Sequence, residues 1–151
     1  MGHVYNAVSQ FKERHPFTIG WRLKQNSDVI EKHMNEDEIV KYAFCAQKND
    51  NPLSIIETAV VVITNRRILI GRKRVVFGYF LDSITPELFN DLKVRSGIIW
   101  GKIYIDTAKE LVQLSNISKD ALMEIETCVT DFMIKEKRRN QTKSEESNNK
   151  N

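Results

Sequence analysis

The chain has 151 residues, 41% of them hydrophobic and 28% charged, which suits one globular domain around a single apolar core. A net charge of +3 is too small for the whole molecule to act as a polycation, so any preference for anions has to come from local clusters. No apolar run approaches the roughly 18 residues of a membrane span, and Cys45 and Cys128, far apart and without histidine at ligand spacing, are expected as reduced, core-packed thiols.

The start, MGHVYNAVSQF, lacks the cationic and apolar regions of a signal peptide, and Asn6 stands where a myristoylation pattern wants Ser or Thr. A cytoplasmic protein is therefore expected. Residues 1–35 read as a helical N-terminal extension. Val4, Val8 and Phe11 fall at i, i+4 and i+7, an amphipathic stretch that His15-Pro16 should end. A second short helix is expected with Asn26 or Ser27 as its cap and Val29, Ile30, His33 and Met34 on one side. Trp21 is expected to help dock these helices on the rest of the domain. Self-association through Val4, Val8, Phe11, Phe17 and Trp21 is the alternative.

From about residue 38 to 117 the pattern changes to strands punctuated by turns. EIVKYAFCAQ is rich in β-formers and runs into the turn cluster KNDNP. SIIETAVVVIT follows, then a turn at Asn65-Arg66, then RILI ended by Gly71. VVFGYFL ends near Asp82, TPELFND reads as a helical turn or loop, and DLKVRSG as a short strand. IIWGKIYID and KELVQLSNI flank Thr107-Ala108 as a hairpin. The total is about seven antiparallel strands, as in a barrel or sandwich.

Ser118 opens the last element as an expected N-cap, with Asp120 in the first turn. Ala121, Leu122, Ile125, Cys128, Val129, Phe132 and Met133 then share one broad helical face. This helix is expected to plug an open end of the sheet. Residues 138–151 have no aliphatic or aromatic side chain and are expected as a disordered polar tail.

Seven strands followed by one helix is the layout of the pleckstrin-homology superfold, and several residues resemble the bacterial PH-domain family in particular. Ile63-Thr64-Asn65-Arg66-Arg67-Ile68-Leu69 is similar to its strand–turn–strand pattern "lTdqRll". Glu36-Asp37-Glu38-Ile39 resembles an acidic "GE.I" start without the glycine. Ser83-Ile84 resembles a serine–isoleucine before a connecting segment, and Gly97, Gly101, Ile103, Ile105 and Thr107 resemble a "G…G.I.I.T" stretch. The resemblance covers roughly residues 36 to 136 and implies an α+β, mainly β fold. That fold is a PH-like, seven-stranded bent antiparallel barrel capped by a C-terminal helix, with the PH-like domain spanning 36–137. It also implies a protein-, peptide- or lipid-binding module. The basic phosphoinositide loop of eukaryotic PH domains is not carried over, because KNDNPLS holds one lysine and one aspartate.

Candidate contact residues are few. Arg66, Arg72, Lys73 and Arg74 form a basic cluster at two turns roughly 15 Å apart along a strand, suited to an anionic surface, although cations also punctuate turns and protect sheet edges. Arg67, within the family pattern, is expected to be structural. A second basic run, Lys135, Lys137, Arg138 and Arg139, suits a helix C-terminus. Trp21 and Trp100 are the candidate hydrophobic contacts. Glu36, Asp37 and Glu38 read as a solvated helix end with no convergent partner. Catalytic constellations and metal-ligand spacings are absent from the sequence, so no enzyme, cofactor or metal site is expected, and without aromatics among the cations no nucleic-acid partner either. The function expected is a non-catalytic binding or assembly module with a protein partner or itself. The alternative is a domain peripheral to the inner face of the membrane, or a phosphate-binding one, that uses the basic 66–74 hairpin.

Overall fold

The segment TAVVVIT has no polar alternation across its pleat, the mark of a strand with both faces covered. In the computed structural model, which describes residues 2–48 and 57–150, this is strand β2, Thr58–Thr64, and all seven of its residues are buried. Its neighbours are β1, Val40–Gln47, and β3, Ile68–Lys73; β4, Tyr79–Ile84, forms the edge beyond β3. Three further strands follow: β5, Phe89–Ser96, β6, Trp100–Thr107, and β7, Leu111–Ser118. The order across the sheet is β4-β3-β2-β1-β7-β6-β5, antiparallel throughout. Where a bent seven-stranded antiparallel barrel with a C-terminal helix is expected, the chain forms seven antiparallel strands curled into a half-barrel with that helix.

Among the described residues, three helices complete it. Helix α1, His3–Arg14, buries Val4, Val8 and Phe11 against β1, with the Phe11 ring 6.2 Å from that of Tyr42 and 6.1 Å from that of Phe44. Helix α2, Leu23–His33, lies on β2 and β3 and buries Val29 and Ile30. The link between them runs beside β7, where the Ile19 N–H donates to the Asn116 carbonyl (3.0 Å) and Thr18 Oγ1 accepts from the Ser118 N–H (2.9 Å). Helix α3, Leu122–Asn149, buries Leu122, Ile125, Val129 and Met133, the face its periodicity predicts. Arg14 (2.9 Å) and His15 (2.5 Å) both reach Glu124 and join the end of α1 to α3.

Several local expectations are corrected. Asn26 and Ser27 do not cap α2; the helix begins at Leu23, after Arg22 in the left-handed region (φ 53°), and both side chains are buried within it. Gly71 does not end β3. It sits inside the strand opposite Val60, where a Cβ would come within 2.5 Å of Ile30 Cγ1, so its bareness lets α2 approach. Arg72 and Lys73 therefore belong to β3 and not to a turn. Val75, Val76 and Phe77 form the β3–β4 turn, closed by Arg74 N–H to the Gly78 carbonyl (3.0 Å) with Gly78 at φ +76°, and β4 starts only at Tyr79. Ser118 ends β7 and gives no side-chain cap; a 3-10 turn, Lys119–Ala121, precedes α3.

The stretch expected as a polar tail lies in α3, which continues to Asn149. Residues 138–149 contain neither Gly nor Pro and several good helix formers. Asn140 Nδ2 donates to Glu87 Oε1 (2.8 Å), tying this stretch to the β4–β5 connection. Most of the expected KNDNP turn and of the KNDNPLS loop, and the front of SIIETAVVVIT, fall at 49–56, outside the described residues.

Candidate binding surface at the two ends of strand β3

The basic residues around β3 split into two groups with different surroundings. At the β2–β3 turn, Thr64 organises the chain. Its Oγ1 accepts from the Arg66 and Arg67 N–H groups (3.1 Å each) and donates to Glu38 Oε2 (2.8 Å). Arg67 holds the same carboxylate through Nη2 to Oε1 (2.7 Å) and Nε to Oε2 (3.3 Å), and also reaches the His33 carbonyl and Ser83 Oγ (3.2 Å each). The Glu38 side chain is fully buried. Burial by itself would raise its carboxyl, but the Arg67 bond, with Asn35 N–H and Thr64, outweighs it and holds the group below the usual 4.5. One arginine thus ties β3 to the end of α2, to β4 and to the segment before β1. Arg67 is structural, as its place in the pattern implies.

Arg66 at the same turn is ion-paired with Asp37. The acidic triplet, expected to be a solvated end without partners, therefore supplies two: Asp37 for Arg66 and Glu38 for Arg67. Arg66 also lines a hollow of about 420 Å³ with Arg139 and Lys143 of α3, but Glu87 and Glu136 line it as well. The second basic run approaches the first here, among carboxylates of both elements.

The other end of β3 differs. Arg72 stands 4.6 Å, and Arg74 5.4 Å, from the centroid of the Phe80 ring, each a cation–π contact on β4. Lys73 donates its backbone N–H to Asn26 Oδ1 (2.8 Å), while Asn26 Nδ2 donates to the Thr58 carbonyl (3.0 Å). The Asn26 amide thus acts as one more rung between β2 and β3 just beyond the Val60–Gly71 pair. Past these cations the hairpin tip shows only apolar side chains: Val75 is 59% exposed, Val76 77% and Phe77 81%. Tyr79 and Phe80 are exposed beside it.

The two tryptophans lie elsewhere. Trp100, at the start of β6, donates Nε1–H to the Phe17 carbonyl (2.6 Å) and leaves its ring exposed next to Ile98 and Ile99 in the β5–β6 turn. Trp21 is 38% exposed, with the Arg22 guanidinium 5.4 Å from its ring, and the side chains buried under the N-terminal helices are Val4, Val8, Phe11 and Ile30. Burial pushes the Cys45 thiol up to about 12, and Cys128 is half-buried and also raised, both as free thiols. Among the described residues no group of His, Cys, Asp and Glu gathers at metal-holding distance, and no helix is long and apolar enough to cross a membrane.

Sequence reasoning missed Asn26, Glu38 and the Val75–Phe77 tip. The tip could have been found. RILIGRK and YFLDSI need a turn between them, and Gly78 is the residue free to take positive φ.

No curated protein and no solved structure gives a significant match. A family model described as bacterial PH domain matches residues 34–131, starting one residue after α2 and ending within α3. That match spans more than half of the chain and takes in all seven strands and the Thr64–Arg67 turn, so the chain belongs to the bacterial PH-domain family, a family of binding modules.

Proposed function

We propose that this protein is a non-catalytic binding module that docks reversibly on an anionic membrane surface through its β3–β4 hairpin. The observation that supports this reading is the pairing of an exposed apolar tip, Val75, Val76 and Phe77, with three cations immediately before it, Arg72, Lys73 and Arg74. Phe80 holds two of the guanidinium groups beside the tip. Each cation near anionic lipid contributes about 1 kcal/mol, and sinking a phenylalanine out of water about 1.5–3 kcal/mol. Together they give an affinity on the scale of one myristoyl chain, about 10⁴ M⁻¹, which is binding that comes and goes.

Co-sedimentation with phosphatidylserine-containing and pure phosphatidylcholine vesicles tests it. Binding to the anionic vesicles alone, weakening with salt and lost in both Phe77→Ser and the triple reversal R72E/K73E/R74E, is expected. Equal retention on both vesicles, or undiminished binding by either variant, would overturn it.

A protein partner is the second reading. It is supported by the exposed patch of Phe17, Ile98, Ile99 and Trp100, in which Ile98 is 92% exposed. On this reading Ile98→Ser with Ile99→Ser abolishes retention of a specific partner in a pull-down while the hairpin variants keep it.

A further inference from the structure

The outer face of β5–β6–β7 carries its charges in rows. Asp91 of β5 stands directly opposite Asp106 of β6, which is itself opposite Leu111 of β7. The next outward row is Lys93, Tyr104 and Gln113, and beyond it Arg95 is opposite Lys102. Two of these three cross-strand pairs between β5 and β6 are therefore like-charged, an arrangement that costs sheet stability where opposite charges would add to it. Asp91, Lys93, Arg95, Asp106 and Leu111 are all exposed. They surround Tyr104 in a hollow of about 510 Å³, and the Arg95 guanidinium lies 5.8 Å from the Tyr104 ring.

We infer that this face binds the same face of a second copy of the chain. A surface with acid at one end and base at the other, with Lys93, Tyr104 and Gln113 between them, pairs acid with base after a half-turn about an axis along the middle row. That operation sets Asp91 and Asp106 of one copy against Arg95 and Lys102 of the other, and brings together the two Tyr104 rings and also the two Lys93 ammonium groups, a repulsion that the acid–base pairs outweigh in number. It is the isologous contact that two-fold dimers use. The alternating pattern of β5, NDLKVRS, leaves this face bare, whereas the outer faces of β1 to β3 are covered by the chain's own helices. The eight positions of the grid make a small patch beside the roughly 800 Å² per partner of standard stable interfaces. The assembly is accordingly weak and dependent on salt.

Sedimentation equilibrium across protein and salt concentration tests it on the full chain. At low salt the mass is expected to rise with concentration from 17.6 kDa towards twice that value, and to stay at 17.6 kDa in high salt. D91K/D106K alone and K93E/R95E alone should each weaken association by about tenfold or more. An equimolar mixture of the two should restore it as a heterodimer. Phe77→Ser should associate as the wild type does, which separates this face from the membrane hairpin. A wild-type mass of 17.6 kDa under all conditions overturns the inference, and so does association unaffected by the charge reversals. Failure of the two variants to pair when mixed does so as well.

Discussion

The two halves of the sheet are built from strands of similar length, yet they meet water in opposite ways. β2 is buried along its whole length, and β3 from Ile68 to Gly71, because the N-terminal helices cover the outer face of this half, α1 on β1 and α2 on β2 and β3. β5 and β6 alternate between inward apolar and outward polar residues, and the outward Asp91, Lys93, Arg95 and Asp106 are exposed. The difference is written in the side chains: TAVVVIT can only be a strand that something else covers, and NDLKVRS can only be one that is open on one side. A half that needs a cover depends on its cover for stability.

Removing residues 1–33 should have the largest effect. The family match begins at residue 34, so the truncated chain keeps every matched position. It loses Val4, Val8, Phe11, Val29 and Ile30, all buried against β1, β2 and β3. Burial of each such side chain is worth about 1.5–3 kcal/mol, and the net stability of a whole domain is only about 5–15 kcal/mol. The fragment 34–151 is expected to aggregate or to show no cooperative unfolding transition. A soluble fragment with a sharp thermal transition would show that the covered half stands without its cover.

Arg67→Ala comes next, at about 3 kcal/mol or more in urea unfolding, because it leaves the Glu38 carboxylate buried without its counter-ion. The same pair sets a pH dependence. Glu38 titrates in the folded protein below its ordinary 4.5, so its stabilisation is complete above that value and is lost as pH falls through the depressed folded value. Glu38→Gln should flatten this part of the acid limb; the part owed to Glu124, also held low because its bonds to His15 and Arg14 outweigh its burial, should remain. An unchanged acid limb in Glu38→Gln would break the link.

Gly71→Ala tests the seam between cover and sheet. The new methyl would stand 2.5 Å from Ile30 Cγ1, so α2 must shift at a cost of about 1–3 kcal/mol. Ile30→Ala in the same chain should recover part of it, and a double-mutant cycle of zero coupling would mean that the two do not meet. This contact also marks what the sequence hides. Strand count, order of elements, the apolar face of α3 and the role of Arg67 are legible because period and turn chemistry are local. That Gly71 serves a helix some forty positions earlier in the chain is a matter of tertiary approach, and a glycine after RILI reads locally as a stop. Asn26 is hidden for the same reason: before a helix it reads as a cap, and only the docked helix turns its amide into a rung between Thr58 and Lys73. The candidate cations were visible, but not their division. Asp37 and Glu38, adjacent in sequence, look like solvated neighbours until the fold sets each against an arginine.

The smallest effect belongs to the open half, and there stability and association should move in opposite directions. Asp106→Lys puts an opposite charge across from Asp91 and removes a like-charged pair, with no buried group touched. The isolated chain should gain a few tenths of a kcal/mol, within the roughly 0.2–1 kcal/mol of a cross-strand pair. Measured by thermal unfolding at low salt and high dilution, the variant should melt slightly above the wild type, and the gain should vanish in high salt, where exposed charges are screened. In concentrated solution the ranking should reverse, because the substitution also removes acid from the row that meets the partner's base. A variant that is more stable alone and less stable in company identifies charge kept apart at the monomer's expense. If Asp106→Lys instead lowers stability at high dilution, Asp106 holds the open half together from within, and the two halves differ less than their burial suggests.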